Sequence, residues 1–364
     1  MASIQKRPND KYRARYRDAA GKEHARHFTR KLDAQRWLDE VTTSRLTGTY
    51  VDPGRSRITV DAMSGAWLQN PKWSETTKAR NRSILDKHVL PRWGTTKLVD
   101  VQHEDVQAWV NELSSTSLAG GTVRKISGVL SGILALAVRS KRLAVNPARD
   151  VDLPEQDLGD RNYLTAAEVE ALADASDEYG DLVLVLAYCG LRIGEAAALR
   201  VRHVDMLRRR LQVEESVTEV NGKLIWSATK DKERRSVPFP AFLTEDIAGR
   251  CEGKGKNDLL FTTGRGGTIR VRNMRRDWFD LAAKIAEVEV TPHELRHTAA
   301  SLAVRAGASV LVVQRMLGHK KPSMTLDVYA DLFDDDLDTV ADRLTTVRAE
   351  ALADSVRTTA VSNI

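Results

Sequence analysis

HELRH, His293–His297, matches H-E-x-x-H letter for letter. On a helix that pattern presents two histidine ligands and a glutamate base to zinc. Pro292 immediately before it suits a first helical turn. His293 and His297, four apart, share a helix face, and so do His293 and Arg296, three apart. A catalytic zinc also needs a third protein ligand. The extended pattern would put Gly at 300 and His at 303, and both are alanine. No Glu occurs between His297 and Glu350, which leaves Asp327 or His319 as third donor. The plain alternative is an ordinary polar helix start.

Downstream lies RAGASVLVVQRMLGHKKPSMTLDVYADLF, 305–333. Gly318 reads as a helix stop, which puts His319 in the loop just after it. Ser323 is placed to cap a short helix carrying Tyr329. Upstream, GDLVLVLAYCGLRIGEAAALRVRHVD, 180–205, is apolar and helical, with a break at Gly190. Arg192 sits there among Leu191, Ile193 and Gly194. A charge in apolar surroundings is either paired or functional, and Glu195, three residues on, shares its face. LTAAEVEALADAS offers Thr165 as N-cap with Glu168 completing a capping box. Residues 210–240 read as strands with an Asn221-Gly222 hairpin, and Lys230 falls in the following turn.

The two ends of the chain differ in charge. Residues 1–57 hold 14 Lys/Arg and 7 Asp/Glu, while the remainder is nearly balanced, within a net charge of +6. A basic segment ahead of a neutral body suggests a dedicated nucleic-acid-binding unit; a solvated basic tail is the bland alternative. KYRARYRD (11–18) alternates like a half-buried strand, EHARHFT (23–29) follows a turn at Gly21, and SIQKR supplies a further short strand. LDAQRWLDEVTTSRL (32–46) has helical period, with Leu32, Trp37, Leu38 and Val41 on one face. A small sheet with basic side chains on one face can enter a major groove; Arg13, Arg15, Arg17 and Arg26 are the candidate readers.

After a linker at 51–57 the pattern is helical to about Asp150, punctuated by Asp61, Ser74 and Gly120-Gly121. Lys78, Arg82 and Lys125 are candidate DNA contacts there, though solvated helix faces commonly carry such residues. A second linker spans 146–161. Cys189 and Cys251 are the only cysteines, which excludes a disulfide framework or a cysteine zinc cluster. The apolar run at 129–138 falls short of the roughly 20 residues of a membrane span, and MASIQKRPND lacks the apolar core of a secretory signal. A cytoplasmic protein without a membrane partner is expected.

Arg192, Lys230, His293, Arg296, His319 and Tyr329 occur in this order within GLRIGE, TKDKERRSVP, HELRH, LGHK and a Tyr ten residues after His319. In this ordered set the chain resembles the tyrosine recombinases, most closely the three-domain phage-type integrases. The resemblance covers about 162–340 with all six motif positions filled. It implies a multidomain, mainly α protein with small β-sheets. An arm-type DNA-binding domain of β-sheet plus helix would occupy 1–55, a helical core-binding domain 58–152, and a mixed α+β catalytic domain with a C-terminal tail helix 162–364. It implies site-specific strand transfer through a 3′-phosphotyrosyl link, to integrate and excise a phage or mobile element. Arg192 and Arg296 would clamp the phosphate, with His319 hydrogen-bonding it. Tyr329 would attack, His293 would accept its proton, and Lys230 would protonate the leaving 5′ oxygen. Glu195 would orient Arg192.

No metal or other cofactor is implied. The implied partners are double-stranded DNA carrying core-type and arm-type sites and three further copies of the chain in a tetramer on DNA. A DNA-bending host protein and a directionality factor are the accessory proteins the resemblance brings into view. The tail after Tyr329 could pack on its own core or dock onto a neighbouring protomer, and the resemblance favours the neighbour. Xer-like recombinases, transposon integrases, type IB topoisomerases, a non-catalytic DNA-binding descendant and a zinc hydrolase are the rivals.

Overall fold

The computed structural model describes residues 2–18, 21–47, 50–52, 54–156, 162–228 and 234–329, together with 341–342, 344–349 and 352. The chain separates into two compact units, Met1–Leu158 and Gly159–Ile364. Their boundary falls in the second expected linker.

The first unit begins with an antiparallel sheet of β1 (Ser3–Lys6), β2 (Tyr12–Arg17) and β3 (Glu23–Phe28), in that order. Gly21, at φ +80°, supplies the left-handed residue of the β2–β3 turn. α1 (Lys31–Leu46) packs on one sheet face, where Ala14 and Tyr16 meet Ala34 and Leu38 in a small buried cluster. Trp37 and Val41 pack against that cluster as expected, but Leu32 does not: it is 59% exposed on the first turn, away from the sheet.

The rest of the unit is helical, with its own buried cluster. α2 (Val60–Leu68) is capped by Thr59, whose hydroxyl accepts from the Ala62 N–H at 3.2 Å, and Asp61 lies inside the first turn rather than capping it. Ser74 caps α3 (Glu75–Ile84) as expected. A π-turn at Leu85–Val89 joins α3 to α4 (Leu90–Trp93) just ahead of Pro91, whose missing N–H ends the regular ladder. α5 (His103–Ser114) and α6 (Gly120–Arg139) complete the unit. α6 is 20 residues long and apolar enough in composition to cross a membrane, longer than the run at 129–138 suggested. Its Ile126, Leu130, Ile133 and Leu134 are instead buried in the helical core.

In the second unit α7 (Ala166–Asp174) carries the expected Thr165–Glu168 capping box. It packs with α8 (Gly180–Cys189), the apolar centre of the unit. The short α9 (Ile193–Ala196) leads to β4 (Val204–Asp205), β5 (Arg210–Val213), β6 (Glu215–Val220), β7 (Lys223–Ala228) and β8 (Arg235–Pro238). These form a β4-β5-β8 sheet and a β6–β7 hairpin. The hairpin turns on Asn221 and Gly222, both at positive φ, the requirement of a type I′ turn. α10 (Thr244–Cys251), α11 (Val271–Met274) and α12 (Asp280–Ile285) follow. α13 (Glu294–Arg305) packs against α8 and leads to α14 (Val310–Leu317) and α15 (Pro322–Tyr329). His293 is the N-cap residue of α13, so Pro292 precedes the helix rather than opening it. α15 starts one residue before Ser323, on Pro322, whose fixed φ suits a first helical position.

Candidate active site

Two helix ends build the centre of the second unit. α8 stops at Gly190 and α14 at Gly318, each at φ +66°. A Cβ at Gly190 would lie 2.7 Å from the Leu317 side chain, so the two ends meet closely. Helix ends leave carbonyls without intrahelical partners and carry partial negative charge. Arg296 answers both: Nη1 donates to the Gly190 carbonyl at 2.6 Å and Nη2 to the Leu317 carbonyl at 2.5 Å. It is 3% exposed. Burial and the neighbouring Arg192 charge lower its pKa to about 9.

Arg192 follows the Gly190 stop and opens α9. Glu195, 2% exposed, accepts its backbone N–H at 2.9 Å and its Nη1 at 2.9 Å, the pairing expected from spacing. Arg235 on β8 grips the same carboxylate with a guanidinium fork, at 3.0 and 2.6 Å. Burial alone would raise the Glu195 pKa, but the hydrogen bonds and charges of Arg235 and Arg192 hold it at about 2.

Tyr329 ends α15 with its side chain 1% exposed. Its hydroxyl lies 2.8 Å from His297 Nδ1. The His319 ring stacks over the phenol at 6.5 Å between centroids, and His293 meets His297 edge-on at 5.3 Å. His319 Nδ1 lies 3.0 Å from the buried Thr325 hydroxyl. Burial, then Arg296 and Arg192, push the His319 pKa down to about 4; the same three causes lower that of His293. Both imidazoles are therefore neutral at pH 7.

The structure thus brings together Arg192, Glu195, His293, Arg296, His319 and Tyr329. Lys230 lies outside the described residues. His297, Thr325 and Arg235 are additions that sequence reading missed. Their partners are 32, 6 and 40 residues away; His297 lies in HELRH and Arg235 in TKDKERRSVP, but neither motif marks these positions. Among the described residues the donor geometry gives zinc at HELRH no support, and the side chain of Asp327, one of the two possible third donors, lies outside them. Among the described residues, the one His/Cys/Asp/Glu group with converging ligand atoms is Asp18–His24–Asp52, in the first unit. His293 instead faces the charges of Arg296 and Arg192, which repel a metal cation.

The basic candidates of the first unit divide by strand parity. Arg13, Arg15 and Arg17 face away from α1, and Glu23 pairs with the first two at 2.9 and 3.6 Å. A cleft of about 470 Å³ lined by Arg7, Pro8, Asn9, Arg13, Ala25 and His27 opens on that face. Arg26 is opposite Ala14 in the register, so it points to the α1 side, with its guanidinium 5.4 Å from the Phe28 ring centroid. Lys78 and Arg82 have acidic partners on their own helical run, Glu75 at 2.9 Å and Asp86 at 3.7 Å, while Lys125 is exposed.

Residues 162–335 match the phage integrase family, and residues 62–114 match the phage integrase N-terminal SAM-like domain. Together these matches span more than half of the chain. The integrase of Mycobacterium phage D29 is 26% identical over 317 residues, covering 83% of this chain and 84% of that protein. The fold is shared with the Tn1549 transposon integrase in complex with a circular intermediate DNA, at TM-score 0.68 and 20% identity over 79% of this chain and 99% of that one. It is shared also with a lambda integrase tetramer bound to a Holliday junction, at TM-score 0.58 and 18% identity over 88% and 96%. The chain belongs to the phage integrase family and is a tyrosine-type site-specific recombinase.

Proposed function

We propose that this recombinase cuts and rejoins DNA through Tyr329, with Arg192, Arg296 and His319 holding the scissile phosphate. The supporting observation is the convergence of two arginines and two neutral histidines on a buried Tyr–His pair. A phosphodiester is anionic and repels an anionic nucleophile. Guanidinium groups donate to its non-bridging oxygens and stabilise the charge of the pentacoordinate transition state. His319 adds a neutral donor: a Thr325 hydroxyl donating to Nδ1 leaves the ring proton on Nε2, available to the phosphate.

Tyr329 Oη attacks phosphorus, forming the 3′-phosphotyrosyl bond as the P–O5′ bond breaks. The phenol proton passes to the histidine pair, of which His297 touches the hydroxyl and His293 stands beside His297. Lys230, which precedes β8 in the sequence, protonates the departing 5′ oxygen. Rejoining reverses these steps on a partner strand, so the bond energy is retained and no ATP is consumed. Cationic side chains do the work a metal would do, and no cofactor enters. The phenol is buried at rest, so DNA binding has to uncover it before attack.

The division of labour follows the family. Residues 1–55 bind arm-type sites through the Arg13–Arg15–Arg17 face, 58–152 bind core-type sites with Lys78, Arg82 and Lys125 among the contacts, and 162–364 carry catalysis. Four protomers assemble on two duplexes, as in the lambda integrase tetramer bound to a Holliday junction. The tail helix docks onto a neighbour, and a DNA-bending host protein and a directionality factor set the outcome. The element served is a phage or other mobile element, and the enzyme works on DNA in the bacterial cytoplasm.

The test is covalent trapping in EDTA on nicked duplexes tiled across the DNA flanking the gene. A denaturing-gel adduct from wild type and none from Tyr329→Phe is expected, with equal duplex binding. Binding without an adduct on any duplex would overturn strand cleavage, and adducts from both proteins would overturn the choice of nucleophile.

A further inference from the structure

We propose that Arg235 is a positioning residue for strand cleavage, holding the phosphate clamp and the His319 turn in one register. The inference rests on the proposed roles of Arg192, His319 and Tyr329.

Arg235 opens β8, paired with Val213 of β5. Its guanidinium meets three acceptors: Glu195 Oε1 at 3.0 Å, Glu195 Oε2 at 2.6 Å and the Met316 carbonyl at 3.2 Å. The Met316 carbonyl belongs to the last turn of α14. The next carbonyl, of Leu317, accepts from Arg296, and His319 follows the Gly318 stop. The stem of Arg235 also covers that stop, since a Cβ at Gly318 would lie 2.8 Å from Arg235 Cδ. One side chain, 11% exposed, therefore touches the support of Arg192 on one side and the turn bearing His319 on the other.

The Glu195 carboxylate is saturated. Oε1 accepts from Arg192 Nη1 and Arg235 Nη1, and Oε2 from the Arg192 backbone N–H and Arg235 Nη2. A carboxylate offers about four lone-pair sites, and all four are used. Arg192 therefore meets Glu195 through a single guanidinium nitrogen rather than through a fork. Without Arg235 two sites fall vacant, in a place too buried for water to fill freely. The Arg192 guanidinium would then swing to a bidentate pairing, the geometry it favours with a carboxylate, and turn N–H groups away from the phosphate. A salt bridge that served stability alone would not set how Arg192 presents its donors.

The measurement is single-turnover adduct formation by the full chain on the nicked duplex that wild type cleaves. The scissile phosphate is either natural or replaced by a methylphosphonate, which lacks the charge that Arg192 engages. On the natural phosphate Arg235→Gln should be about 10- to 100-fold slower, the scale known for partners that orient metal-binding side chains, with unchanged duplex affinity. On the methylphosphonate most of that deficit should vanish. Arg235→Lys keeps the charge but not the fork, so it should recover only part of the rate; it also serves as the readable variant should Arg235→Gln fail to fold. Equal deficits on both substrates, or full activity of Arg235→Gln, would overturn the inference. An adduct formed equally by Tyr329→Phe on the same duplex would instead overturn the assignment of Tyr329 beneath it.

Discussion

Glu195→Gln isolates one buried charge at the heart of the site. The carboxylate is 2% exposed and its pKa is held at about 2 against an ordinary 4.5. A shift of that size corresponds to about 3 kcal/mol favouring the ionised form in the folded state, close to what breaking a buried ion pair costs. The folded-state pKa is depressed, so this stabilisation is fully present above pH 4.5 and is lost as pH falls through 2. Neutralising the side chain at pH 7 should lower the melting temperature of the second unit by roughly 6–12 °C, at about 2–4 °C per kcal/mol for a domain of this size. At pH 3 about half of the effect should survive, because the unfolded wild-type carboxyl is then mostly protonated. Calorimetry of the full-length chain and the variant at pH 7 and pH 3 reads both numbers. A shift under about 2 °C at pH 7, or the same gap at both pH values, would refute the claim that two arginines hold this carboxylate ionised.

Thr325→Val removes the hydroxyl 3.0 Å from His319 Nδ1; single-turnover cleavage should slow by about 10- to 100-fold, the scale known for partners that orient metal-binding side chains, while duplex affinity stays put, and an unchanged rate would show that Thr325 does not orient the ring. Alanine at Arg13, Arg15 or Arg17 should each reduce the slope of log affinity against log salt on arm-type DNA by about 1. Arg26→Ala should leave that slope alone, because Arg26 lies on the α1 side of the sheet. Equal slopes for all four variants would contradict the face assignment.

The motif residues were legible because their spacing is local. Gly190 and Gly318 announce helix stops, and the stops put Arg192 and His319 where they lie. H-x-x-R fixes His293 and Arg296 within one turn of α13, and the Glu195 partner of Arg192 followed from a three-residue interval. What sequence hid is what only the tertiary fold brings together. Arg235 stands in a run of charged residues, KDKERR, with nothing local to mark it as folding inward. His297 was weighed as a zinc ligand, and its phenol partner lies on another helix. Arg26 looked equivalent to its strand neighbours until the β2–β3 register placed it opposite Ala14. Periodicity places Leu32 on the packed face of α1, yet it is 59% exposed in the first turn and stays outside the buried cluster.

The central claim is that the Tyr329 hydroxyl becomes the bond to DNA without a metal. The most direct test traps the adduct in EDTA, digests protein and DNA, and finds by mass spectrometry which residue carries the nucleotide. The expected result is a single modified peptide bearing a 3′-phosphonucleotide on Tyr329, with a free 5′-hydroxyl on the released strand. A nucleotide on any other residue, a 5′-linked phosphate, or an adduct that forms only when a divalent metal is supplied would contradict it.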